Sequence, residues 1–313
     1  PTYYPPRKTP KECYEQIIAD LTDAEQYAPD NDNSDRTKMT KTVAQAMLAK
    51  VYAEKEVQDY DKVIAYADKV MNTTGVELED SYETLWGYDE TAIDCMKRNT
   101  KEGILEVHWS GGGNWETWMY GRQLDNWDYY FTWAKWITPS RDIINDFDKE
   151  GDEVRKNQAI VYYACTWSNY YPASNYPFMY KLRSSYNNIY WVRLADIILM
   201  KAEAEAYKGN LAESAKLVNQ IRKRAKLKDL TSDKTGSKEA MIEAVLHERR
   251  LELAFEGERW FDLCRNNKVE KYLNGIDNRD SGRIRQVKQF DSNSYLLPIP
   301  QTALDQNTNL EQN

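Results

Sequence analysis

Six tryptophans, Trp109, Trp115, Trp118, Trp127, Trp133 and Trp136, fall within 28 residues, where even spreading of the chain's ten would place about one. The same window holds Tyr120, Tyr129, Tyr130 and Phe131, the run Ser110-Gly111-Gly112-Gly113, and the polar residues Asn114, Glu116, Arg122, Gln123, Asp125, Asn126 and Asp128. Flat aromatic rings present a π face to the C–H faces of a sugar ring, while amides, carboxylates and guanidinium groups meet its hydroxyls, so this mixture suits a carbohydrate site. The candidate ligand residues are Asn114, Trp115, Trp118, Arg122, Asp125, Asn126, Trp127, Tyr129, Tyr130 and Trp133. Shielding ~100 Å² on each of two rings is worth ~5 kcal/mol gross at ~25 cal/mol/Å², and association entropy reduces that to millimolar or micromolar affinity. The competing use of the same tryptophans is to fill a core between this segment and the helices around it.

Other chemistry is less well supported. Asp125 and Asp128 are the carboxylates best placed for a glycosidase, one pair of acids in an aromatic loop. Glu248, Glu252 and Glu256 share one side of a helix with Arg249 and Arg259 nearby, a spacing that favours ion pairs on a helix surface over acid and base catalysis. No nucleophile elbow, P-loop, dinucleotide fingerprint or paired-histidine zinc motif occurs. Only His108 and His247 are present, and Cys13, Cys95, Cys165 and Cys264 stand far apart. Isolated buried thiols fit that spacing better than a disulfide, and neither a metal nor a cofactor is expected. Asp30, Asp32 and Ser34 are spaced like a calcium loop, but Asp35 and Lys41 occupy the positions that need glycine and a bidentate glutamate, leaving a solvated acidic loop. A second aromatic run, Tyr162 to Pro172 continuing to Tyr176, Tyr180 and Tyr186, can form a binding rim, a protein interface or packing beneath a loop.

The elements that must position these groups are mainly helical. Thr9 precedes Pro10 and a stripe of Cys13, Ile17, Ile18, Leu21 and Ala24, which predicts a helix capped by Thr9. Thr42 to Lys55 and Tyr60 to Met71 predict an antiparallel pair, with Val43, Ala46, Ala49 and Tyr52 facing Val63, Ala67 and Val70. Leu194, Ile197, Ile198, Ala202 and Ala206 predict another helix, broken at Gly209-Asn210 and returning through Leu211, Ala215, Val218 and Ile221. Glu102 to Trp109 alternates like a strand. The chain has 313 residues, 41% of them apolar, with 42 basic and 50 acidic side chains and a formal charge of −8. That is enough apolar material for a sizeable core, and without a separate basic cluster it argues against nucleic acid. No segment is apolar for long enough to span a bilayer.

Several spaced motifs then fall in order: R-x-A-D at Arg193 to Asp196, A-E-A at Ala202 to Ala204, N-x-I-R-x-R-A at Asn219 to Ala225, E-R-R-x-E-L-x-F-E-G-x-R-W-x-D-L at Glu248 to Leu263, and P-I-P at Pro298 to Pro300. Together they resemble the carboxy-terminal part of the SusD/RagB family of outer-membrane nutrient-binding lipoproteins, and the small-residue helix pairs resemble tetratricopeptide units. The resemblance implies a mainly α, tetratricopeptide-like scaffold of helical pairs carrying a large, loop-rich aromatic insertion with short strands. Residues 1–313 then form one unit, with helical pairs in 1–100, the insertion in 101–189, and further helical pairs and an extended tail in 190–313. It also implies capture of an oligosaccharide or polysaccharide without catalysis and delivery to a TonB-dependent, SusC-like transporter at the bacterial outer-membrane surface. The lipid anchor of that family would lie outside this chain, which opens on Pro1-Thr2-Tyr3-Tyr4-Pro5-Pro6 and lacks the family's amino-terminal part. The resemblance fixes no ligand residue. A peptide binder similar to RagB, a glycosidase using Asp125 or Asp128, and a plain helical scaffold are the alternatives.

Overall fold

The computed structural model describes residues 4–89, 91–92, 94–109, 138–165, 168–183, 186–281 and 288–312. Helices α1 (Pro10–Tyr27), α2 (Lys41–Ala53), α3 (Tyr60–Met71) and the short α4 (Tyr82–Trp86) come first, followed by strands β1 (Tyr88–Asp89), β2 (Asp94–Cys95) and β3 (Gly103–His108). Next are α5 (Arg141–Glu150), α6 (Glu153–Ala159), β4 (Ile160–Tyr163), β5 (Tyr176–Met179) and β6 (Asn188–Arg193). The chain then runs through α7 (Leu194–Lys208), α8 (Leu211–Arg224), α9 (Ser232–Thr235), α10 (Lys238–Glu252), α11 (Arg259–Arg265), α12 (Val269–Leu273), α13 (Ile276–Arg279) and α14 (Gln301–Gln306). The expected mainly helical scaffold with short strands is what forms.

Local chemistry sets the helix ends. Thr9 caps α1 in a reciprocal box with Glu12, and Pro10 sits in the first turn, where a missing N–H costs nothing. Gly209 ends α7 in the left-handed conformation at φ 86°, open to glycine without a steric penalty, and α8 returns antiparallel to it. The two predicted pairs are one body, because α3 packs directly on α7. Ala46, Ala67, Ala202 and Ala206 let the helices approach closely, and Val43, Ile197, Ile198, Val218, Ile221 and Val245 fill the core between them.

Two features were not expected. Strand β6, just before the expected helix, pairs antiparallel with β3 and turns into α7 at Leu194. The β-branched and aromatic side chains of Ile189, Tyr190, Trp191 and Val192 fit a pleated surface. Within 138–165, helices α5 and α6 form where only loops and short strands were expected; α5 is capped by Ser140 and stopped by Gly151 at φ 67°.

Charged residues read as a helix surface are in fact interior. Glu248, Arg249 and Glu252 on α10 are fully buried. Glu252 accepts from Arg193 at 2.7 Å, from Arg224 at 2.5 Å, from Arg155 at 3.2 Å and from the Tyr82 hydroxyl. Arg193 also bridges Glu102 at 2.8 Å and Glu256 at 2.7 Å, and Arg224 reaches Glu102 as well. One network therefore ties the start of β3, the end of β6, α4, α6, α8 and α10. A second joins Arg249 to Asp196 and Asp262, Arg265 to Glu203 and Asp262, and Lys50 to Asp196 and Glu258. The helix spacing does not show this burial, because the partners lie up to 208 residues away in sequence.

Breaking one member strands the others without water. Arg193→Met leaves Glu102, Glu252 and Glu256 short of their shared cation, and we expect a loss of about 3–5 kcal/mol in urea unfolding. Burial opposes ionisation of Glu252, but Arg224, Arg193 and Arg155 outweigh it and hold its carboxyl well below the usual value. Its stabilising contribution is then complete above the unfolded carboxylate value of about 4.5 and is lost as pH falls toward the folded one. The urea midpoint should accordingly drop as pH is lowered from about 6 to about 3, with the folded state binding fewer protons than the unfolded.

Candidate functional site

Two strands form the root of the aromatic segment. The chain leaves the scaffold along β3 to Trp109 and comes back at Asn187, and the Trp109 N–H donates to the Asn187 carbonyl at 3.1 Å. Arg98 clasps the same point: its Nη2 donates to the Trp109 carbonyl at 2.5 Å and to Asp94 at 2.6 Å. Beneath it, buried Glu106 accepts from the Asn99 and Thr100 amides, the Thr100 hydroxyl and the Asn188 side chain, all within 2.9 Å, and faces His108 Nε2 at 2.8 Å. The root is held by polar groups whose partners are specified one by one.

All ten candidate ligand residues, Asn114, Trp115, Trp118, Arg122, Asp125, Asn126, Trp127, Tyr129, Tyr130 and Trp133, lie outside the described residues, as does Asp128. Of the six clustered tryptophans, Trp109 is described; it is half-buried at the root, and its indole Nε1 is buried without a hydrogen-bond partner.

The second aromatic run divides between packing and surface. Strand β4 pairs with β5, bringing Tyr163 opposite Tyr176, and Cys165, Tyr176 and Phe178 are buried together. Tyr170 and Tyr171 meet edge to face at 5.0 Å, and the Arg141 guanidinium lies 4.7 and 4.0 Å from their ring centres. Asp280 fixes the group by accepting from Arg141 Nη1 at 2.9 Å and from the Tyr170 hydroxyl. The Tyr171 hydroxyl donates to the Pro139 carbonyl at 2.7 Å, and burial followed by the Asp280 charge pushes its ionisation well above the ordinary tyrosine range. Around them Arg141 and residues 168–173 line an open cleft of about 870 Å³. Its exposed Asn169 and half-buried Ser168 supply hydrogen-bonding groups of the kind a polyhydroxylated ligand uses.

The acidic loop carries its own cations: Asp30 pairs with Lys41 and Asp32 with Lys38, while buried Arg36 donates to Asn31, to Asn33 at 2.8 Å and to the Gly75 carbonyl at 2.7 Å. Among the described residues no group of three or more His, Cys, Asp or Glu side chains is arranged to hold a metal. Cys95 and Cys165 are buried thiols, whereas Cys13, expected to be buried with them, is exposed on α1 because no residue of that helix is fully covered. Cys264 is half-buried, and burial raises it to about 11. A thiol reagent at neutral pH should therefore label one cysteine rapidly in the native protein and all four in denaturant.

Comparison with known proteins follows the scaffold. Residues 179–313 match the SusD family profile, described as SusD family. SusD-like protein P2 of Formosa agariphila is 28% identical over 346 residues, covering 98% of this chain and 65% of that protein. SusD-like protein P38 of the same organism is 39% identical over 103 residues, 31% of this chain and 20% of that protein. The chain thus spans about two thirds of the first relative and a fifth of the second. Among solved structures, a SusD-like protein of Bacteroides fragilis superposes with a TM-score of 0.77 at 21% identity, covering 100% of this chain and 72% of that one. A SusD-like carbohydrate binding protein of Bacteroides vulgatus gives 0.64 at 20% identity, over 83% of this chain and 52% of that one. At these identities the structures establish the shared fold.

Proposed function

We propose, from the SusD family match over residues 179–313, that this chain is a SusD/RagB member and a non-catalytic binder of oligosaccharide or polysaccharide that hands its ligand to a TonB-dependent, SusC-like transporter at the outer-membrane surface. One observation carries the reading: six tryptophans interleaved with polar side chains occupy the segment that leaves this scaffold at Trp109. Stacking supplies most of the affinity, and amides, carboxylates and Arg122 supply orientation. Asn114, Trp115, Trp118, Arg122, Asp125, Asn126, Trp127, Tyr129, Tyr130 and Trp133 are the proposed contacts. The cleft at Tyr170 and Tyr171, with Asn169 on its rim, offers a further aromatic and polar surface.

Support for binding without chemistry comes from the helix acids Glu248 and Glu252, which are buried in the scaffold and paired with arginines. The relative from Bacteroides vulgatus is described as carbohydrate binding, which favours glycan over peptide as the ligand class. Among the described residues no helix is long and apolar enough to cross a membrane, so surface attachment would depend on the family's lipid anchor.

Titration calorimetry against plant, microbial and host glycans is the test. We expect binding in the millimolar to micromolar range, weakened at least about tenfold by Trp115→Ala and by Trp127→Ala, the loss of one stacked ring. Binding of peptides but of no glycan would replace this reading with a peptide binder. Hydrolysis of a bound glycan that Asp125→Asn abolishes would replace it with a glycosidase.

A further inference from the structure

The turn that ends α10 opens a cavity of about 330 Å³, within the range of small-molecule sites. Phe255 and Trp260 wall it, Thr138 and Ser140 contribute hydroxyls, and Arg250 and Arg259 line it together. Phe255 adopts a left-handed backbone at φ 66°, uncommon for a side chain of its size, and Gly257 follows at φ 90°. The turn thereby places the ring in the cavity wall.

The two guanidinium groups differ in what they hold. Arg250 is bridged to Asp142 at 2.8 Å and to Asp146. Arg259 donates Nη1 to the Leu246 carbonyl at 3.1 Å and lies 4.7 Å from the Tyr272 ring centre, but among the described residues no carboxylate bridges it. The acids nearest in charge are already engaged, Asp262 by Arg249 and Arg265, Asp146 by Arg250. Burial, and then repulsion from Arg250, lower Arg259 to about 10, so it stays charged at neutral pH. A half-buried cation with no carboxylate bridge among the described residues, beside two aromatic walls, is poised for an oxyanion carried on an apolar-faced ring.

We propose that this cavity receives an acidic sugar ring, its carboxylate or sulfate on Arg259 and its C–H face against Trp260 and Phe255. The inference rests on the glycan reading above and narrows it to glycans that contain charged residues. Thr138 is the first described residue after 110–137, so the cavity borders the end of the tryptophan-rich segment in sequence.

The full chain is titrated by saturation-transfer NMR with glucuronate, glucose 6-sulfate and glucose. The acidic sugars should bind roughly tenfold to a hundredfold more tightly than glucose, the range of a charge-assisted contact. That margin should shrink at ~1 M salt, disappear in Arg259→Gln and survive in part in Arg259→Lys. Thr138→Trp, which adds bulk at another residue lining the cavity and leaves Arg259 in the sequence, should abolish it as well and keeps the test decisive if Arg259→Gln does not fold. Preference for one acid over the other identifies the oxyanion. No margin in the wild type, or a margin that persists in both Arg259→Gln and Thr138→Trp, overturns the proposal. If the glycan panel binds through Trp115 and Trp127 but the margin is missing, this inference alone fails; if the margin is present and no glycan of the panel binds, the broader reading fails instead.

Discussion

Everything in this molecule is arranged around Glu252 and the cations that surround it. A carboxylate at 0% exposure cannot remain ionised by itself, and three guanidinium groups from three separate elements, with the Tyr82 hydroxyl, make its burial possible. Apolar packing of α2, α3, α7 and α8 is tolerant of small shifts, whereas bidentate and bridged ion pairs are not. The alanine-lined core supplies the driving force, and the network around Glu252 fixes where β3, β6 and α10 meet. Arg193 is the decisive member, since it stands where β6 becomes α7 and so joins the root of the aromatic segment to the helical body.

Seen this way, the charged motif positions have a single explanation. Arg193 and Asp196, Glu203, Arg222 and Arg224, and Glu248, Arg249, Glu252 and Asp262 are partners of one another across the two networks, with Arg155, Arg265, Glu102 and Lys50 completing them. The family resemblance was legible because these residues stand in the order and spacing of its motifs. Their burial was not, because three- and four-residue spacing of opposite charges looks the same on a wet helix face and in a buried seam. Helix ends at Thr9 and Gly209 depend on local capping chemistry and can be read residue by residue, whereas the helix that Ser140 caps was not expected. The β3–β6 pairing joins segments some 80 residues apart, and nothing local in either specifies the other. The candidate ligand residues illustrate the opposite limit: their composition points to a chemistry, while their arrangement lies outside the described residues.

Function and stability accordingly use different kinds of residue. Buried arginines and glutamates are paired with one another, although Arg155 Nη2 and Arg224 Nε are buried without a hydrogen-bond partner among the described residues. Arg259 departs from that pattern, as a motif arginine that lines a cavity with no carboxylate bridge among the described residues, and the cleft at Tyr170 and Tyr171 departs from it by placing edge-to-face rings beside open solvent. Such exceptions leave groups open to a ligand that the buried, ion-paired networks do not.

The pairing of Trp109 with Asn187 has a consequence for how such a protein can change. Because β3 and β6 already bring the two ends together, the scaffold meets the segment between them as a closed loop whose length matters little; each doubling adds only about 0.6 kcal/mol of closure entropy. Residues 138–186 are tied back to the scaffold, through Arg155 to Glu248 and Glu252 and through Lys181 to Glu256, so it is between Trp109 and Thr138 that insertion, deletion or exchange leaves these ion pairs in place. A new ligand preference is then reachable through many tolerated intermediate sequences, and the root acts as the fixed socket into which different recognition surfaces can be fitted.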